Sequence, residues 1–259
     1  MTYKKVKYWF NEDLAQLLKE KIQAETDDFA ARQFTYGLAR ELEPLEIKDR
    51  VEVFADRLYR ALGEDYAAGL AVLLRILGEE NPAETGMFTE YYWLMPVAKY
   101  VEKYGLDDLD LSLPAIGEIT KRNTGEYAIR PYLEQYPKQT LKQMRRWSQS
   151  PNFHLRRLAC EGVRPRLPWA PKLARFIADP SPIVPILNQL KNDEVKFVQK
   201  SVANCLNDLT KDNYEVARRI VENWLSKEPG KNTVWIIRHA LRWLRKREDD
   251  WALEVTDAL

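Results

Sequence analysis

Glu161 stands as one acid in a run of cations. Between Lys138 and Arg175 the chain carries ten fixed positive charges: Lys138, Lys142, Arg145, Arg146, Arg156, Arg157, Arg164, Arg166, Lys172 and Arg175. Glu161 is the single carboxylate among them, while the whole protein balances at +1. The sequence therefore reads as a local positive field rather than a generally basic composition. A field of that sign suits a polyanion, and phosphate backbones are the commonest polyanion in a cell. A carboxylate surrounded by cations stays ionised. An ionised acid beside phosphates costs binding energy, so it either faces elsewhere or is kept for chemistry.

The bland account of Glu161 is an i, i+4 pair with Arg157 on an exposed helix, contributing about 0.3–0.5 kcal/mol. Its position weakens that account, because the pair opens the stiff, basic turn Gly162-Val-Arg-Pro-Arg-Leu-Pro-Trp169. Glu126 and Asp208 are the other acids able to converge on it. Asp208 falls one turn beyond Asn204, on the segment that carries Lys200; alone, it reads as a solvated residue near a helix end. Trp169 is a candidate aromatic platform, although a tryptophan after Pro168 is more often a packing anchor. Cys160 and Cys205 read as core residues, and His154 and His239 as non-ligands. With two cysteines and two histidines the chain offers no disulfide framework and no metal set. A glycine-rich phosphate loop, a Gly-x-Ser-x-Gly elbow and a His-Glu-x-x-His motif are all missing.

The elements that must position these residues are helical. Charged residues make up 31% and apolar ones 45% of 259 residues with ten glycines, a balance that excludes disorder and disfavours a turn-rich β fold. Leu14, Leu17, Leu18 and Ile22 form an apolar stripe at helical spacing, as do Val51, Phe54, Leu58 and Leu62. Prolines, among them Pro44, Pro82, Pro114, Pro137, Pro151, Pro165, Pro168, Pro180 and Pro229, are read as breaks between such segments. The longest apolar stretch is too short to span a membrane. The N-terminal residues soon run into Asn11, Glu12 and Asp13, so no secretory signal is expected and the chain reads as cytoplasmic.

Three stretches repeat. His154–Glu161, Phe197–Asn204 and Trp235–Arg242 align at offsets of 43 and 38 residues, the range of HEAT or armadillo helical repeats. Arg157, Lys200 and Arg238 occupy one equivalent position. Glu161, Asn204 and Arg242 occupy the next, and Arg164, Asn207 and Arg245 the one after. Residues at i, i+4 and i+7 share a helix face, so stacking would line these positions along one surface. Arg122-x-x-x-Glu126 is a fainter copy, 35 residues before Arg157-x-x-x-Glu161. There Asn123-Thr124-Gly125 is able to break the helix and Pro131 to kink it. The expected fold is an all-α solenoid, right-handed in type, of antiparallel helical hairpins forming a concave basic surface. It is expected to run through 1–259 as a single domain.

The segment from His154-Leu-Arg-Arg-Leu-Ala-Cys-Glu161 through Gly162-Val-Arg-Pro-Arg-Leu-Pro-Trp169 resembles the AlkC branch of the HEAT-like-repeat DNA alkylation repair proteins, the AlkC/AlkD superfamily of alkylpurine DNA glycosylases. Residues 120–132, 201–208 and 235–242 match the pattern in order, and the resemblance covers about residues 85–250. It implies hydrolysis of the N-glycosidic bond of cationic N-alkylated bases, chiefly 3-methyladenine, in duplex DNA. It further implies Glu126, Glu161 and Asp208 as the acids near the lesion, Arg157 as an orienting or DNA-contacting partner, and Trp169 as an aromatic contact. Arg164, Arg166, Lys200, Arg238 and Arg242 join the DNA-binding set as cations of the repeat face and its loop. Departure of such a base builds positive charge on the sugar, which an ionised carboxylate stabilises while it orients water. No metal or cofactor is required. A monomer acting on alkylated double-stranded DNA in the cytoplasm, nucleoid-associated in a bacterium, is the expectation. Some relatives carry a C-terminal immunoglobulin-like domain, and none is expected before Leu259. A noncatalytic HEAT-type module that binds nucleic acid through the same face is the alternative, and a scaffold for an acidic protein ranks third.

Overall fold

Helix starts are encoded in this chain as capping residues. In a computed structural model that describes residues 5–259, Asn11, Asp65, Asp108, Asn152 and Asp249 each accept a hydrogen bond from a backbone N–H of the following first turn. Each such cap satisfies one of the donors a helix start leaves open. Pro96, Pro137 and Pro185 enter first turns, where a missing N–H costs nothing. Pro137 marks a break as expected, opening a helix two residues after the previous one ends. Pro114 departs from that role: it lies inside a helix, among buried Leu113, Ala115 and Ile116 whose packing holds the helix together.

The described residues fall into two compact units, one ending at Ile129 and the other running Arg130–Leu259. Among them there is no β-strand. The helices of the first unit are α1 (Glu12–Gln23), α2 (Ala31–Thr35), α3 (Leu38–Leu42), α4 (Ile47–Ala61), α5 (Tyr66–Arg75), α6 (Met95–Tyr104) and α7 (Leu109–Thr120). Both apolar stripes seen in the sequence point inward, with Leu14, Leu18 and Ile22 of α1 and Val51, Phe54 and Leu58 of α4 buried. Burying a leucine or phenylalanine side chain contributes about 1.5–3 kcal/mol.

From α8 (Ile129–Gln135) the chain continues through α9 (Pro137–Trp147), α10 (Phe153–Glu161), α11 (Ala174–Ala178), α12 (Val184–Leu190) and α13 (Lys196–Asp212). It closes with α14 (Tyr214–Leu225), α15 (Lys231–Ala240), α16 (Arg242–Arg245) and α17 (Asp250–Asp257). The first two aligned stretches lie on α10 and α13, and the third runs from α15 to Arg242 at the start of α16; these helices pack in order, α10 on α13 and α13 on α15. Helices α9, α12 and α14 pack against them. The chain is thus an all-helical repeat protein, as its periodicity predicts.

The faint fourth copy is not a helical one. Helix α7 ends at Thr120, so Arg122 and Glu126 sit in the connection to α8 rather than one turn apart on a helix. Gly125 is required there, because a Cβ would lie 2.6 Å from both Ile116 Cγ2 and Thr120 Oγ1. The break at Asn123-Thr124-Gly125 is therefore real. Pro131 falls in the first turn of α8, where no kink is needed.

Candidate functional site

Glu161 ends α10 and is buried, with 5% of its surface exposed. The exposed pair with Arg157 is not its main interaction. Arg164 Nη1 donates to Glu161 Oε1 at 2.6 Å, Ser201 Oγ to Oε2 at 2.6 Å, and the Arg157 guanidinium stands off at 3.7 Å. Asp208 is more buried still, at 2%, so the solvated helix-end reading of it is overturned. It lies four residues before the end of α13, a helix packed by both neighbouring repeats. Arg164 Nε donates to Asp208 Oδ2 at 2.9 Å, and Lys211 Nζ approaches Oδ1 at 3.7 Å. One buried guanidinium therefore bridges two carboxylates from adjacent repeats.

The two acids are pushed in opposite directions. Burial would raise the Glu161 carboxyl, but Arg157, Arg164 and the Ser201 hydroxyl overcome it and hold the group below the ordinary value. At Asp208 burial prevails over Arg164 and Lys211, helped by the negative charge of Glu161, and the carboxyl is raised. Burial works against the Arg164 guanidinium too, yet Glu161 and Asp208 outweigh it and keep the cation fully charged. Glu161 is thus the permanently ionised member and Asp208 the more basic one.

The run of cations does not act as one field. Three of its arginines each meet an aspartate contributed by the next repeat. Arg156 forks onto Asp193 at 2.7 and 3.2 Å, Arg164 meets Asp208, and Arg166 forks onto Asp212 at 2.6 and 2.5 Å. Arg166 is accordingly neutralised, and Arg164 is too buried to reach a phosphate. Arg157 lies over the Phe197 ring at 4.8 Å as well as near Glu161. Lys200, Arg238 and Arg242, by contrast, are exposed, and among the described residues none of them pairs with a carboxylate. Arg242 donates to Asn204 Oδ1 at 2.8 Å and to the carbonyl of His239 at 2.6 Å. The equivalent repeat positions Asn204 and Arg242 thus touch, as stacking requires.

Trp169 is not a packing anchor. It is 59% exposed, and its φ of 63° places a non-glycine residue in the left-handed region. Such a conformation costs about 1 kcal/mol or more and persists where the surroundings fix it. The surroundings here include Arg130 on α8. Its guanidinium donates to the carbonyls of Gly162, Arg164 and Pro171 at 3.2, 2.9 and 2.6 Å, clamping the loop that bears Arg164, Arg166 and Trp169. Arg130, Ser201, Asp193 and Asp212 are missed by inspection of the sequence, because each acts from about one repeat away. Arg130 does fall within a segment that carries the family resemblance, and that is the one signal available for it.

Glu126 belongs to the first unit. It is buried in the connection after α7, where Thr124 Oγ1 hydrogen-bonds its Oε2 at 3.0 Å and accepts its backbone N–H at 3.3 Å. Glu161, Asp208, Arg157 and Arg164 are brought together within the second unit. Cys160 and Cys205 are buried free thiols, as expected for core residues. Among the described residues no group of three His, Cys, Asp or Glu side chains is placed to hold a metal ion, and no helix is long and apolar enough to cross a membrane.

Comparison with known proteins places this geometry. Residues 119–244 match the family described as DNA alkylation repair enzyme. The chain is 36% identical over 245 residues to the uncharacterized protein YhaZ of Bacillus subtilis (strain 168), covering 94% of this chain and 66% of YhaZ. Its structure matches Pseudomonas fluorescens alkylpurine DNA glycosylase AlkC bound to DNA containing an abasic site analog, with a TM-score of 0.87 and 35% identity. That match covers 98% of this chain and 68% of AlkC, so the chain spans about two thirds of the length of both relatives. The α10–α13–α15 repeat and the segment around Glu161 lie inside the matched region. The chain belongs to the DNA alkylation repair enzyme family.

Proposed function

We propose that the chain is an alkylpurine DNA glycosylase: it hydrolyses the N-glycosidic bond of cationic N-alkylated bases, chiefly 3-methyladenine, in duplex DNA. The observation that carries this is Glu161, an acid held ionised among cations in a chain 35% identical to a DNA-bound alkylpurine glycosylase. A ring-alkylated purine is already a cationic leaving group, so no strong acid is needed to expel it. As the bond breaks, positive charge grows on the deoxyribose, and a fixed carboxylate stabilises it. Glu161 supplies that charge at any pH near neutrality. Asp208, the more basic carboxylate, is suited to orient water and take its proton. Arg164 sets the distance between them, Arg157 orients Glu161, and Glu126 acts in support. Trp169 offers an exposed ring to the sugar or the cationic base, while Lys200, Arg238 and Arg242 take backbone phosphates.

The test is release of free 3-methyladenine from methylated duplex DNA in single turnover. Wild type should release base, and Glu161→Ala should lose about 10²–10³-fold, the scale for removing one preorganised electrostatic group. Absence of release by the folded wild type would overturn the enzyme reading. The burial of Glu161 and Asp208 favours a second reading, in which their network only braces the repeats of a nucleic-acid-binding module. Under that reading, removal of the acids changes stability and leaves DNA affinity to Lys200 and Arg238.

A further inference from the structure

His239 sits in a setting that neither base excision nor the buried network explains. Its ring stacks on Trp235 of the preceding turn, with centroids 4.9 Å apart and planes 12° apart. On the far repeat, Lys196 places its ammonium over the same Trp235 ring, 3.7 Å from the centroid. The carbonyl of His239 receives the Arg242 guanidinium, whose other nitrogen holds Asn204 of α13. The charged groups that face the imidazole are therefore Lys196 and Lys200 from α13 and Arg242 from α16, with Arg238 exposed on its own helix α15. All are cations, and no carboxylate faces it among the described residues. Partial burial, then Arg242, Lys200 and Lys196, depress the imidazole below its ordinary value. The Arg242 guanidinium is lowered too, by burial and then by Arg164, with Asp208 acting the other way.

Lys200, Arg238 and Arg242 are exposed cations that make no ion pair among the described residues, and such neighbours become more favourable once an anion lies between them. We propose that α13, α15 and α16 build a phosphodiester site, in which Lys200, Arg242 and His239 are the ligands and His239 gains a proton from solvent as the phosphate arrives. Trp235 holds the imidazole flat and limits its rotation, so its edge nitrogens stay available. The site rests on the duplex-DNA reading above and adds to it a linkage between proton and phosphate. Proton linkage is simple to isolate here because the chain has two histidines and the other, His154, is 1% exposed.

The sign follows from the protonation states. The complex binds more protons than the free protein, so affinity falls as pH rises through the bound-state value and levels off above it. A shift of about one pKa unit on binding makes affinity rise toward a limit of about tenfold as pH falls from about 8 to well below both values. The experiment uses unmodified duplex DNA, which cannot be turned over. Fluorescence anisotropy at constant ionic strength gives affinity against pH for wild type, His239→Gln and Lys200→Gln. The imidazole Cε1–Hε1 resonances are titrated with and without duplex.

Wild type should show the rise toward about tenfold, His239→Gln should flatten it to under about twofold, and Lys200→Gln should reduce the salt dependence by about one counter-ion. The His239 resonance should titrate below the ordinary histidine range in the free protein and move upward with duplex, and millimolar inorganic phosphate should leave it in place. An unchanged pH slope in His239→Gln, or a resonance that ignores duplex, overturns the site. A shift with inorganic phosphate as large as with duplex overturns the phosphodiester assignment. Failure of the folded wild type to bind duplex at any pH instead removes the DNA reading on which the site stands.

Discussion

Replacing Arg164 with methionine removes the guanidinium shared by Glu161 and Asp208 and leaves two carboxylates inside the second unit. Their remaining partners are weaker: Ser201 and a distant Arg157 for Glu161, and Lys211 at 3.7 Å for Asp208. Removing one partner of a buried ion pair costs about 3–5 kcal/mol, and the residual cations place this case near the lower end, at about 3 kcal/mol. With a urea slope of about 2 kcal/mol per M, the midpoint should fall by about 1.5 M near neutral pH. The pH dependence has a definite sign. In wild type the lowered Glu161 contributes stability that is present above its unfolded value of 4.5 and lost as pH falls through the folded one. The raised Asp208 opposes it, since its ionisation costs stability as pH rises above 3.8. In Arg164→Met both carboxyls are raised, so the folded state binds more protons than the unfolded one and stability declines steadily as pH rises. The deficit relative to wild type should therefore shrink by half or more between about pH 7.5 and about pH 5. Urea unfolding monitored by tryptophan fluorescence at both pH values measures this. A midpoint shift below about 0.5 M at pH 7.5, or one equal at both pH values, would refute the shared-cation account.

Two further substitutions separate strain and packing from chemistry. Trp169→Gly removes a side chain from a left-handed backbone position, so stability should stay level or rise by up to about 1 kcal/mol. If the exposed ring contacts the nucleotide, base release should fall at least about fivefold in the same variant, since an aromatic–base contact contributes about 1–3 kcal/mol. Loss of stability with unchanged release would reverse the assignment. Gly125→Ala forces a methyl to within 2.6 Å of Ile116 and Thr120 and should destabilise by about 1–3 kcal/mol. Thermal unfolding that matches wild type would show that the Glu126 connection has room to shift.

The helical architecture was legible because its causes are local. Apolar stripes at Leu14, Leu18 and Ile22 or at Val51, Phe54 and Leu58 report a buried helix face wherever they occur. The offsets between Arg157, Lys200 and Arg238 report stacking, and α10, α13 and α15 do pack in that order. Proline was less informative than its frequency suggested. Its effect depends on position in the turn, so Pro137 begins a helix and Pro114 is carried inside one. The supposed helical copy at Arg122 and Glu126 failed for the same reason, since matched end residues say nothing about the backbone between them.

The charge pattern was misleading in an instructive way. Ten cations in thirty-eight residues look like one field only if neighbours in sequence are neighbours in space. In a helical repeat the neighbours are about one repeat away, and that is where Asp193, Asp208 and Asp212 reside, each opposite an arginine of the run. The arginines at the centre of the run are therefore tied inward, between repeats, while Lys138, Lys142, Arg145, Arg146, Lys172 and Arg175 stay exposed. Among the described residues Lys200, Arg238 and Arg242 also stand without a carboxylate, in stretches whose local composition is unremarkable. The same geometry changes the standing of Glu161. It is not a lone acid in a positive surface but one half of a two-acid, one-cation bridge, and its ionisation follows from Arg157 and Arg164 outweighing its burial. A charge run in such a protein has to be divided residue by residue, because an arginine that faces the next repeat is neutralised there, while an exposed cation without a carboxylate is costly until a partner arrives.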